Sequence, residues 1–189
     1  AEEGYAAFAL DMYGGGETAS HPKKAGQMSA QVKKNMEKAT KRFKAAMNIL
    51  QKRPKVDADK IGAIGYCFGG GIVLEMARRG VDLDAVASFH GTLATDSPRA
   101  EKGEVKAKIL VANGAEDPFV KEEHIEAFKK EMKAAQVDFR FLNLKGAKHS
   151  FTNPEADKFG EKFGLPLEYN KSADRKSWKA MLKLFEDAF

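Results

Sequence analysis

Short apolar runs alternate with amphipathic stretches along most of this chain. Tyr5 to Leu10, Ile61 to Gly65, Ala85 to Phe89, Ile109 to Ala112 and Phe139 to Leu144 read as strands. Between and around them lie stretches with helical periodicity. Gln27 to Lys52 places Val32, Met36, Phe43, Met47 and Leu50 on one face, and Pro54 ends it. Further helices are predicted over 68–79, from Lys121 to Ala135, and from Lys171 to Asp187, the last carrying Trp178, Leu182 and Phe185. Strands alternating with helices predict an α/β fold with a mostly parallel sheet and helices on both faces. The amphipathic face of 27–52 is expected to pack on that sheet, and Phe139–Leu144 to be an edge strand.

The chain has 189 residues, and no repeat or composition break divides it, so a single domain over 1–189 is expected. Apolar residues at 43% supply a core. No apolar stretch reaches membrane-spanning length and no signal peptide is evident, so no membrane partner is expected. One cysteine leaves no internal disulfide and suits a reducing, cytoplasmic setting. The net charge of +5 and pI near 9.1 come from lysines spread among 27 acidic residues. They mark a solvated surface rather than a nucleic-acid footprint.

One turn changes the picture from fold to chemistry. Gly65-Tyr66-Cys67-Phe68-Gly69-Gly70 joins a predicted strand to a predicted helix. This is the G-x-nucleophile-x-G elbow with cysteine at its apex. A thiol needs a base or a helix N-terminus to act as a nucleophile, and Cys67 sits where a helix dipole favours the thiolate. Asp117, just past the strand ending at Ala112, is the candidate acid, with Glu116 as a weaker rival. His149, in the loop after Phe139–Leu144, is the candidate base. Nucleophile, acid and histidine follow in the chain order of α/β-hydrolases. Each residue also has an ordinary reading: a buried turn cysteine, a helix cap and a surface histidine. Of the other histidines, His21 lies in a polar loop and His124 on a charged helix face. His90 ends a strand and lines the site or fills the core. No His, Cys, Asp or Glu spacing suits a metal, and no cofactor is expected.

Together these residues resemble the dienelactone hydrolase family of three-layer α/β-hydrolases. The likeness rests on the elbow at 65–70, with Leu10-Asp11-Met12-Tyr13, Phe89-His90-Gly91, Gly114-Ala115-Glu116-Asp117, His149-Ser150-Phe151 and Tyr169-Asn170 through Trp178. The resemblance implies a Cys67–His149–Asp117 triad that hydrolyses carboxylic esters and lactones, as a carboxymethylenebutenolidase does. It gives the Phe68 N–H a place in the oxyanion hole. It assigns substrate contacts to Tyr13, His90, Ser150 and Phe151, and a small ester or lactone as partner of a monomer or homodimer. It also implies strands ahead of Tyr5, with a second oxyanion donor and a glutamate, so the domain reads as N-terminally incomplete relative to the family. Family arginines that hold a substrate carboxylate have no counterpart at Gly14-Gly15-Gly16 or at Asn153. The expected substrate is therefore an ester or lactone at large, not that anionic dienelactone. Two other readings stay open: a non-catalytic α/β-hydrolase-like module, and a redox-sensing Cys67. Segment 153–167 is expected to be either a lid or a surface helix.

Overall fold

The structure is a computed structural model describing residues 2–189. It groups into two compact units, Ala1–Asp59 and Lys60–Phe189.

In the first unit the expected long helix is two helices, α1 (Pro22–Lys33) and α2 (Met36–Gln51). Asn35 makes the break. Its side chain accepts a 2.9 Å hydrogen bond from the Lys38 N–H and so caps α2, which a mid-helix position would not allow. His21 caps α1 through Nδ1, and Pro22 suits the first helical turn. Met28, Ala39 and Ala46 are the buried helix residues; the predicted apolar stripe at 32, 36, 43, 47 and 50 is only half-buried. The strand expected over 5–10 does not form, and Phe8 is 44% exposed. A strand exists through its partners, and the sheet among the described residues pairs only the four strands of the second unit.

The turn after residue 10 is held by polar contacts instead. Asp11 accepts from the N–H groups of Gly14 and Gly16 at 2.7 and 2.8 Å. Those bonds favour the Asp11 carboxylate and lower its pKa. Arg42 of α2 donates from Nη1 to the carbonyls of Met12 and Tyr13, both at 2.7 Å. Gly14 stands at φ 91°, and a Cβ there would lie 2.8 Å from Arg42 Nη2. A glycine therefore suits both the backbone angle and the close approach.

The second unit holds a four-stranded parallel sheet in the order β1 (Gly62–Tyr66), β2 (Ala85–Phe89), β3 (Lys108–Gly114) and β4 (Phe139–Leu144). β2 is buried throughout and β3 nearly so, which explains their unbroken apolar sequence. β4 lies at the edge, as its alternation predicts. The helices are α3 (Phe68–Arg78), α4 (Glu122–Ala134), α5 (Ala156–Phe163) and α6 (Lys171–Ala188). Residues an odd number apart on a strand point to opposite faces. A Cβ on Gly62 would meet Phe185 and Phe189 at the end of α6, and one on Gly65 would meet the first turn of α3. Thus α3 and α6 cover opposite faces of the sheet.

α6 buries Ala173, Ser177, Met181 and Phe185. Trp178, expected on its packed side, is 39% exposed, because the buried row recurs every four residues from Ala173. A polar cluster joins α3 to α4. Arg78 donates from Nε and Nη2 to the two carboxylate oxygens of Glu131 at 3.0 Å each, and from Nη1 to Glu75 at 2.9 Å. All three residues are buried. No helix among the described residues is long and apolar enough to cross a membrane.

Candidate active site

Four loops of the second unit deliver one residue each from the C-terminal ends of successive strands. Cys67 follows β1, His90 follows β2, Asp117 follows β3 and His149 follows β4. The register aligns Tyr66 with Phe89, Phe89 with Ala112 and Ala112 with Leu142, so these ends lie side by side. This is where open α/β sheets gather their ligand groups.

Cys67 sits at φ 50°, ψ −116°, a conformation that L-residues rarely adopt. The neighbouring glycines make it feasible. A Cβ on Gly65 would lie 2.2 Å from the Gly69 carbonyl oxygen, and one on Gly70 would lie 2.9 Å from the Gly91 Cα. Strand, turn and helix can close this tightly only without side chains at those positions. The result leaves Cys67 exposed at the head of α3.

A continuous hydrogen-bonded chain runs from the thiol. His149 Nε2 is 3.1 Å from Cys67 Sγ, and His149 Nδ1 is 2.7 Å from Asp117 Oδ2. The Asp117 side chain has no exposed surface, and its Oδ1 accepts the Phe119 N–H at 2.9 Å. That bond fixes the carboxylate in place. Glu116, the rival acid, points to solvent. The Phe119 ring stands edge-on to His149 at 5.0 Å and is half-exposed.

Electrostatics separate the two members of the Cys67–His149 pair. Cys67 keeps exposed surface, yet the loops around it partly desolvate the sulfur and oppose its ionisation; the His149 hydrogen bond and charge, aided by the Phe68 N–H, bring its pKa below the ordinary thiol value. Burial likewise opposes a charged His149. Its bonds to Asp117 and Cys67, and their negative charges, outweigh that and raise its pKa to about 9. Both shifts act in the same direction, favouring a thiolate facing an imidazolium over the neutral pair.

The loop carrying His149 is braced from behind. The Glu168 N–H donates to the His149 carbonyl, the Asn170 N–H donates to the Phe151 carbonyl, and Asn170 Nδ2 donates to Gly146 O. Segment 153–167 contains α5, ended by Gly164 at φ 62°, and the residues that follow supply this brace.

The residues expected to contact substrate occupy different settings. His90 is 3% exposed, with both ring nitrogens engaged. Ser150 is half-buried at φ 61°. Phe151 has no exposed surface and stands edge-on to His90 at 5.2 Å. Tyr13 belongs to the first unit, where it lines a cavity of about 160 Å³ with Met28, Val32, Ala39 and Arg42. Phe119 and Thr152 were not foreseen. Their only sequence signal is position, two residues after Asp117 and three after His149. Among the described residues no group of three His, Cys, Asp or Glu could hold a metal ion.

A parallel sheet with an elbow at β1 and functional loops at its C-terminal edge is the α/β-hydrolase architecture. The dienelactone hydrolase family model matches residues 1–189. An uncharacterized protein of Caenorhabditis elegans is 38% identical over 149 residues, 78% of this chain and 92% of its own length. Protein usf of Aquifex pyrophilus is 30% identical over 159 residues, 83% of this chain and 68% of its own. Among solved structures, a dienelactone hydrolase-like promiscuous phosphotriesterase from metagenomic libraries matches with a TM-score of 0.83 at 36% identity. That match covers 96% of this chain and 74% of the other. The chain belongs to the dienelactone hydrolase family.

Proposed function

We propose that this protein hydrolyses carboxylic esters and lactones through an acyl-thiol intermediate on Cys67. The observation that carries the reading is the unbroken Cys67–His149–Asp117 hydrogen-bonded chain on a nucleophile elbow. Cys67 Sγ attacks the carbonyl carbon as a thiolate. The developing oxyanion receives the Phe68 N–H at the head of α3, where the loss of one such donor costs about 10²–10³ in rate. The imidazolium of His149 then protonates the leaving alkoxide, and the acyl group remains on sulfur.

The acylation step itself prepares the next one. Burial lowers the His149 pKa, and two of the influences that raise it come from Cys67. Once sulfur carries an acyl group, both vanish. His149 becomes a better neutral base at the moment a water must be activated. Asp117 keeps Nδ1 protonated, so Nε2 is the atom that accepts the proton. The same reading treats the two units as parts of one α/β-hydrolase domain, which the family match across 1–189 supports. It places a small-molecule ester or lactone in the site of a cytoplasmic enzyme, monomer or homodimer. The solved relative's description adds phosphotriesters to the substrates worth assaying.

The test is p-nitrophenyl acetate hydrolysis with and without alkylation of Cys67. Iodoacetamide treatment or Cys67→Ala is expected to abolish turnover, and Cys67→Ser to retain little, because the site favours an anion over a neutral hydroxyl. The alkylation rate should persist below the ordinary thiol pKa. It should fall as the pH drops through the lowered Cys67 value, where the thiolate takes up its proton. Undiminished turnover by Cys67→Ala would refute the reading.

A further inference from the structure

His90 is buried next to the reacting groups, yet the mechanism above gives it nothing to do. We propose that His90 is a positioning residue that ties the nucleophile's turn to the loop carrying His149, through one hydrogen bond to each. This inference rests on the proposed thiol mechanism and adds a second element to it.

Four observations define the link. His90 Nδ1 accepts a hydrogen bond from the Cys67 N–H at 3.2 Å, a proton shared with the Phe89 carbonyl at 3.0 Å. His90 Nε2 is 2.9 Å from Thr152 Oγ1. Thr152 lies in a tight turn closed by the Asn153 N–H donating to the Ser150 carbonyl at 2.8 Å, next to His149. The His90 ring stands edge-on to His149 with centroids 5.1 Å apart.

These contacts determine the tautomer. Nδ1 accepts a proton, so it carries none, and the ring proton lies on Nε2 and is donated to Thr152. A protonated His90 would lose the bond to Cys67. Burial and the charge of His149 hold the His90 pKa down at about 3, so the accepting form prevails throughout the working range. The backbone is committed as well. His90 stands at φ 40°, and its N–H donates to the Ala112 carbonyl at 2.8 Å, which anchors the ring to the end of β3. Such a conformation is uncommon for a non-glycine residue, and here it aims the ring between the nucleophile's turn and the loop carrying His149. The consequence is a fixed Sγ–Nε2 separation that does not depend on the thiolate–imidazolium attraction. That matters after acylation, when the attraction is gone and His149 must still face the acyl group.

Two substitutions test the link. His90→Phe keeps a flat ring and deletes both bonds. Thr152→Val keeps the side-chain shape and deletes one. Each is expected to raise the Cys67 thiol pKa, read from the pH dependence of iodoacetamide alkylation. Each should lower kcat about tenfold with KM little changed, the worth of roughly one hydrogen bond. The double variant should be little worse than His90→Phe alone, because both act through one link. His90→Asn tolerates a positive φ and keeps an acceptor near the Cys67 N–H, so it should recover part of the loss. A residue that merely fills the core would lower the melting temperature and leave the thiol pKa unchanged. If Thr152→Val folds and shows an unaltered thiol pKa, the proposal is wrong, even where His90→Phe fails to fold. The alkylation readout needs no turnover. An absence of ester hydrolysis in the unsubstituted protein would therefore count against the proposed function, separately from this link.

Discussion

Asp117→Asn is expected to reduce ester turnover by about 10³–10⁴, the scale seen when the acid of a comparable triad becomes an amide. The Phe119 N–H will continue to claim the carbonyl-like oxygen, since that bond is short and the site is closed. The amide nitrogen must then face His149 Nδ1 and donate to it. That moves the ring proton to Nε2, the atom that should be free to accept from water. The imidazolium loses its counter-charge too. With Asp117 neutral, the burial that opposes a charged His149 meets less resistance, and the pKa of about 9 falls. Cys67 loses the imidazolium that stabilises its thiolate. Steady-state kinetics and the alkylation profile together check this. A loss below tenfold with an unchanged alkylation profile would remove Asp117 from the proposed mechanism.

Arg78→Ala is expected to destabilise the protein by about 3–5 kcal/mol, the usual result of removing one partner from a buried ion pair. Arg78 is 5% exposed and serves two carboxylates at once, Glu131 through two nitrogens and Glu75 through a third. Its removal leaves Glu75 and Glu131 in the interior without their cation. It also empties the space over the Phe128 ring, 5.5 Å from the guanidinium carbon. Arg78→Met replaces much of the volume and should still be costly, because both acids remain. A triple replacement of Glu75, Arg78 and Glu131 by apolar residues of similar size should be far milder. Urea unfolding of the three variants separates loss of packing from stranded charge. Equal midpoints for Arg78→Ala and the unsubstituted protein would show that the cluster adds nothing.

The second unit was largely legible in the sequence because its signals are local. β2 and β4 appear where their apolar runs predict, and the elbow's spacing announces a turn that glycine alone accommodates. The chain order of Cys67, Asp117 and His149 anticipated the contacts between them. The first unit was less legible. An apolar run over 5–10 looks like a strand, but pairing is a property of neighbours and no residue within the run encodes it. Asn35 falls inside a stretch of helical periodicity that runs past it, although its side chain competes for the backbone and starts a new helix. Trp178 shows a third limit. It shares an apolar stretch with Leu182 and Phe185, while the row Ala173, Ser177, Met181 and Phe185 decides which face is buried. His90 and Thr152 lie 62 positions apart, and no local pattern links them.

The sheet runs β1, β2, β3, β4 in chain order, and each strand end delivers one member of the site. The nucleophile comes first and its base last, 82 positions later. The thiol can therefore meet its base only when the edge strand is paired with β3 and holds the loop carrying His149 in place. Enhanced alkylation at low pH is then a signal expected only when all four described strands are paired. In this chain the lone thiol is a built-in reporter of whether the first and last strands of the sheet are both in place.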